Sequence, residues 1–340
     1  MSRLHFVLLC IFAITLLCCL YQLLSRSYIQ CLNKKYDDAS RDSYWHARRA
    51  AELKRIPGVL ELLQLDDTLG ALDTLVMMGI IALKIFILWH LVYKTKSTTK
   101  KVLLFFLAVT LSISINNYTH TFGHNAMFSS EDMNLAVIRL LDIFYYGTGS
   151  VLENYANQHG KHHDEMRMFT HQDVAAIPTP CEDQIIGSNP IMKILYVLLT
   201  PLRIKYLDST HNTDFKGSAT VQFLSYLRTA LFLYFAPTLC VLMLLSELAQ
   251  FAHPFYPSIT EHVDISGQPT NSYYGLINSL TYNLYHHVEH HDFPDMNPRN
   301  FPKLRELAPH MYKHSIHSKI GSYLTILLSP YCTLRECKGL

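Results

Sequence analysis

His287, His290 and His291 form an H-x-x-H-H pattern in the stretch Tyr-His-His-Val-Glu-His-His-Asp-Phe-Pro, residues 285–294. On a helix, positions i, i+3 and i+4 share one face, with the last two splayed to either side of the first. The same pattern occurs upstream as His159, His162 and His163, and His120 and His124 add an i, i+4 pair. An i, i+4 pair can chelate one ion from one helix face. Taken alone it is more often a packing feature, but two copies of H-x-x-H-H beside apolar runs point to metal binding. Eight imidazoles exceed what one four-coordinate ion uses and suit two metals with larger shells. Imidazole suits iron, copper, zinc and nickel. Asp164, Glu261, Glu289 and Asp292 stand near these clusters, as acceptors for the outer N–H of a ligating imidazole. The other histidines are assigned to surface or packing roles: His5, His46, His90, His171, His211, His310, His314 and His317. His253 and His286 lie near candidate ligands, and His286 falls outside the ligand spacing.

These residues need a scaffold, and the composition points to a membrane. Hydrophobic residues make up 49% of the 340 and charged residues only 16%, against roughly 25% charged in soluble domains. Mean hydropathy is +0.11. The net charge of +2 is too weak a bias for a nucleic-acid partner. Eight cysteines, with no C-x-x-C pair, read as small buried hydrophobes rather than a disulfide framework. Cys31, Cys332 and Cys337 are also candidates for acylation.

Phe6–Leu24 holds 19 residues without a charge, about 28 Å as a helix and enough to span the hydrocarbon core. It reads as an uncleaved anchor. Arg26, Lys34, Lys35 and Arg41 follow it, which places the next segment in the cytosol. That segment, Tyr36–Leu69, suits an amphipathic helix broken near Pro57, lying on the bilayer or packed on the protein itself. Thr74–Tyr93, interrupted by Lys84, and Val102–Tyr118 are the next spans. The basic loop 94–101 between them would be lumenal, against the positive-inside tendency. Met133–Tyr146 reads as a helix, and Ile191–Leu207 as an interfacial helix containing Pro201. Phe215–Phe251 is too long for one crossing and reads as two short spans joined at Phe235-Ala236-Pro237, with Arg228 an awkward occupant. A single helix is expected over Asn271–Asp292. Ser322–Ser329 is too short to span. The division is an anchor over 1–30, a cytosolic amphipathic segment over 31–70 and a membrane domain over 71–340.

The three clusters must meet, so they lie on one membrane face, the cytosolic one if the anchor runs as described. The expected fold is all-α: a multi-pass membrane bundle with a cytosolic, histidine-rich, two-metal cap. Two redox metals at a bilayer suit O2-dependent oxidation of a lipid C–H bond.

The arrangement resembles the integral-membrane fatty acid desaturase and hydroxylase superfamily and, within it, the sphingolipid delta-4 (dihydroceramide) desaturases. The residues that carry this are Trp45-His46-Ala47-Arg48-Arg49, His120 and His124-Asn125-Ala126-Met127-Phe128, and Ile177-Pro178-Thr179. They continue with His253-Pro254, Glu261-His262, Ser272-Tyr273-Tyr274-Gly275, Thr281-Tyr282-Asn283, His287-x-Glu289-His290-His291-Asp292-Phe293-Pro294 and Ser329-Pro330-Tyr331. The resemblance implies that the eight box histidines hold a diiron centre, that His262 is a ninth ligand, and that Asn283 is an outer partner. It implies O2 as oxidant, electrons from NADH through cytochrome b5 and its reductase, and a dihydroceramide-like lipid desaturated to ceramide in the endoplasmic reticulum membrane. No His-Pro-Gly-Gly haem signature is present, so cytochrome b5 would be a separate protein. The chain departs from the family pattern at Thr121, at Val288 and at Val174-Ala175-Ala176. The alternatives are a sphingolipid C4-hydroxylase, another fatty-acyl desaturase, or a histidine-rich membrane metal transporter.

Overall fold

The computed structural model describes residues 15–337, except 17, 21, 24, 33–40, 147–148, 154–155, 157–162, 164–177, 212–216, 257–258, 266–267 and 314. Much of the expected anchor, with His159, His162 and Asp164, therefore lies outside the described residues. The chain is mostly helical.

Helix α1 (Arg41–Leu53) ends in a turn at 54–58, where Gly58 takes φ 87°. This is the break expected near Pro57. Leu53, Val59 and Leu62 pack against Val288, Phe293, Met296 and Phe301. The segment thus covers the protein's own apolar surface.

Helices α2 (Asp67–Tyr93) and α3 (Thr98–Gly123) pack side by side. Both run beyond the expected apolar segments because polar caps extend them: Asp66 accepts from the amides of Thr68 and Leu69, and Ser97 from Lys100. Their surface pattern is the reverse of a water-soluble helix. Leu75 is 69% exposed and Leu103 63%, whereas Asp73, Lys84 and Asn117 are fully buried. Bilayer hydrocarbon solvates the former and repels the latter. Among the described residues, these two helices are long and apolar enough to cross a membrane.

Helix α4 (Glu131–Leu141) runs into a π-helical turn, Asp142–Tyr146. Helix α5 (Pro190–His211) continues through Pro201. The apolar block divides where expected, into α6 (Ala219–Phe235) and α7 (Pro237–Ala249), because Pro237 cannot continue the preceding helix. At 17 and 13 residues, α6 sits at the short end of the range for a full crossing and α7 below it. Helix α7 packs against α2 and α3.

The single helix expected over 271–292 is not formed. Strand β1 (Ser272–Tyr273) pairs in parallel with β2 (Ser315–Ile316), one helical turn covers Ile277–Leu280, and Tyr282 and Asn283 take φ 54° and 57°. Only α9 (His287–Asp292) is helical at the motif; α8 (Ile259–His262) lies upstream. Local side-chain bonds compete with the helix here. Ser272 Oγ accepts from Val288 N (2.9 Å) and donates to Glu289 (2.7 Å), and Asn278 donates to Tyr273 O (2.6 Å).

Helix α10 (Lys319–Leu328) stays on the protein, with Tyr323, Ile326 and Leu327 in a core shared with Cys19, Leu23 and Leu195. The cysteine reading needs correction. Cys332 and Cys337 form a disulfide, and Cys181 is also disulfide-bonded. The tail turns back at Thr333, whose amide donates to Glu336 O, and this brings the two thiols together.

Candidate metal centre

The last turn of α3 carries His120, with His124 at its C-cap. Helix α9 carries His287, His290 and His291, and the short α8 delivers His262. His120, His124, His163 and His290 form one group and His262, His287 and His291 another, with their ligand nitrogens within 4.8 Å of one another in each. The groups adjoin: the His163 and His291 ring centroids are 4.2 Å apart. His159 and His162 cannot be placed in either, being outside the described residues.

The nitrogen spacings fit a cation. His120 Nε2 is 2.8 Å from His290 Nε2. His287 Nε2 is 2.9 Å from His262 Nε2 and 3.1 Å from His291 Nε2. A ring nitrogen either carries one proton or offers one lone pair, so a single Nε2 cannot hydrogen-bond both neighbours well. Two imidazoles on one metal at about 2.1 Å place their nitrogens about 3 Å apart. Burial, reinforced by His163, His287, His262 and His46, holds His291 well below the usual histidine pKa. A neutral ring keeps the lone pair that a metal needs.

The acids are arranged around this core. Asp292 accepts from His46 Nδ1 (2.7 Å), Arg49 Nε (3.2 Å) and the Tyr312 hydroxyl (3.0 Å). Glu289 accepts from Ser272 and Tyr274 and lies 3.3 Å from His286 Nδ1. Glu261 is paired with Lys319 and accepts from Thr260. Thr121 donates to Asn117 O on its own helix, and Val288 is buried in the α1 core.

His46, read from the sequence as a surface or packing residue, is buried beside the second group. It is 4% exposed, its ring centroid lies 5.2 Å from that of His291, and its Nε2 is 3.0 Å from Thr270 Oγ1. As an isolated histidine without a spacing partner it gave no signal except its place in Trp45-His46-Ala47-Arg48-Arg49. Asn283 does not sit one helical turn before His287. Its left-handed backbone precedes α9, and it lines a cavity of about 860 Å³ together with Tyr274, Asn278, His286, Arg305 and Tyr312.

The chain matches the family model described as fatty acid desaturase over residues 100–319. It is 26% identical to the sphingolipid delta(4)-desaturase/C4-monooxygenase DES2 of Rattus norvegicus over 67% of this chain and 72% of that one. It is 28% identical to the sphingolipid delta(4)-desaturase DES1 of Rattus norvegicus over 47% of this chain and 53% of that one. It is 31% identical to the DES2 protein of Bos taurus over 41% of this chain and 44% of that one. The chain thus spans only about half the length of two of these three relatives. No solved structure matches it significantly.

Proposed function

Because the chain belongs to the fatty acid desaturase family, we propose that it is a membrane oxidoreductase that introduces the 4,5 double bond into the sphingoid base of a dihydroceramide-type lipid. The observation that carries this reading is the pair of adjoining histidine groups at the end of α3 and on α9. His120, His124, His163 and His290 would hold one iron, and His262, His287 and His291 the other. His159 and His162 join them as members of their box. Two irons and O2 supply the oxidising power for an unactivated C–H bond. Overall, O2 takes two electrons and two protons from adjacent lipid carbons. It takes two more electrons from NADH through cytochrome b5 and its reductase, and two protons from water, leaving an alkene and two waters.

The chain's own residues hold the site dry and fixed. His287, His290 and His291 are at most 5% exposed, so a carbon radical formed there is shielded from water. The Asp292 cluster holds the end of α9, and Glu289 ties the same helix to β1. The exposed apolar faces of α2 and α3 support a position for this cap at the surface of a bilayer. The setting is the endoplasmic reticulum membrane, with the anchor at 1–30, the amphipathic segment at 31–70, the multi-pass domain at 71–340 and the histidines facing the cytosol. The role of Asn283 as an outer partner rests on the family resemblance, and its carbonyl accepts from the His286 amide (2.9 Å) just before α9. Family membership, with the match spanning all three boxes, displaces the metal-transporter reading.

The C4-monooxygenase names of two relatives support a second outcome, hydroxylation at C4. Labelled dihydroceramide fed to cells that express the protein, with His287→Ala as control, separates the two by lipid mass spectrometry. Labelled ceramide supports desaturation and a 4-hydroxy product supports hydroxylation. Unchanged substrate in the presence of expressed, iron-loaded protein refutes both.

A further inference from the structure

His46 lies outside residues 100–319, the part of the chain that the family model matches, yet its ring packs 5.2 Å from that of His291 in the second histidine group. Both of its ring nitrogens are engaged. Nδ1 is 2.7 Å from Asp292 Oδ1, and Nε2 is 3.0 Å from Thr270 Oγ1. Nδ1 faces a carboxylate oxygen, and Nε2 shares a hydrogen bond with the threonine hydroxyl. With both nitrogens engaged, His46 stands outside the two groups of ligand nitrogens.

Its two partners belong to the two chain segments that supply the second group. Asp292 directly follows His291 at the end of α9. Thr270 precedes Asn271, whose amide donates to Glu261 O (2.8 Å) and whose side chain donates to Val263 O (2.7 Å). Those carbonyls flank His262. His46 is therefore a strut between the turn that holds His262 and the helix that holds His291. Its own position is fixed through α1. Arg49, one turn on, also bonds Asp292, donates to Met311 O (2.9 Å) and sits between the Trp45 and Tyr312 rings at 4.5 and 5.1 Å.

We propose that His46 is a positioning residue for the second metal group, setting the separation of His262 and His291. The proposal rests on the two-iron reading above. It predicts a larger loss at the second group than at the first, because the Thr270 arm reaches only the turn that carries His262, whereas the Asp292 arm also steadies His290 through α9. Direct hydrogen-bond partners of metal ligands typically contribute about 10- to 100-fold in affinity, and His46 acts one bond further out, through Asp292 and Thr270.

The test is iron stoichiometry and Mössbauer spectroscopy on purified full-length protein. His46→Ala is expected to fall from about two irons per chain to about one and to lose the spectrum of a coupled pair. His46→Asn keeps a donor towards Asp292 and recovers part of the second iron. Thr270→Val cuts only the other arm without changing side-chain volume, and gives the same selective loss should His46→Ala fail to fold. Two irons with an unchanged spectrum in both His46→Ala and Thr270→Val overturn the proposal, as does parallel loss of both irons in the two variants. A wild-type protein that binds no iron overturns the two-iron reading instead.

Discussion

Lys84 on α2 and Glu247, near the end of α7, form an ion pair between helices whose outer faces are apolar. The Lys84 ammonium also donates to the Tyr145 hydroxyl (2.7 Å). Tyr145 (2.5 Å) and Ser112 (3.3 Å) donate to the same glutamate oxygen. One carboxylate thus ties α2, α3, α7 and the π-helical turn together. It also explains how a lysine that interrupts an apolar run remains inside a membrane-type helix.

Removing one partner strands the other in a medium that solvates charge poorly. Lys84→Met is expected to destabilise the protein by roughly 3–5 kcal/mol, and the double variant Lys84→Met/Glu247→Leu to recover most of that loss. Denaturation of the purified protein in detergent, read as a double-mutant cycle, checks both values. Additive losses in the cycle would show that the pair is not coupled.

Gly70 is the point where α2 meets the chain leaving the first histidine pair. A β-carbon there would clash with Met127 O and lie 3.1 Å from the Phe128 ring. The backbone oxygen cannot swing away as a flexible side chain can. Gly70→Ala is therefore expected to cost about 1–3 kcal/mol by overpacking and to lower iron retention by displacing His124. Thermal unfolding and metal analysis of the same preparation report the two effects.

His290 belongs to the first histidine group and its ring centroid is 5.4 Å from that of His291 in the second. His290→Ala is expected to lose iron and desaturase activity together, to below about 1% of wild type, as a missing ligand in a unit that acts as one. Full activity with a normal iron content refutes the ligand assignment.

Arg203 forks onto Glu182 with both side chains buried, and Tyr28 donates to the same carboxylate (2.7 Å). Glu182 also closes the capping box with Thr179. Arg203→Ala leaves the carboxylate uncompensated, and a loss of roughly 3–5 kcal/mol is expected. Arg203→Lys recovers only part of it, because a point charge cannot make the two-pronged contact. Denaturation midpoints of the two variants test the ranking.

The break at Pro237, the turn at Pro57, the two long apolar helices and the spacing of His120, His124, His287, His290 and His291 were legible because each is encoded locally, by a ring, a cap or a spacing. His46 was not. Its partner Asp292 is 246 residues away, and no local pattern announces such a bond. The helix expected over 271–292 failed for a related reason. Its apolar spacing is helix-like, but Ser272 and Asn278 bond to neighbouring backbone and side-chain groups and fold the segment back on itself. The Cys332–Cys337 pairing likewise depends on a turn rather than a recognisable cysteine spacing.

The sequence by itself determined the donor chemistry, many neutral imidazoles at helical spacing beside membrane-length runs, and with it the family. Only the tertiary structure decided how the donors are shared. The third box divides: His290 joins His120, His124 and His163, while His287 and His291 join His262. On a helix with 3.6 residues per turn, positions i and i+4 lie about 40° apart, whereas i+3 lies about 60° to the other side of i. One helical turn therefore presents ligands to two neighbouring sites. Which ring meets which partner was fixed by where α3, α8 and α9 come to rest.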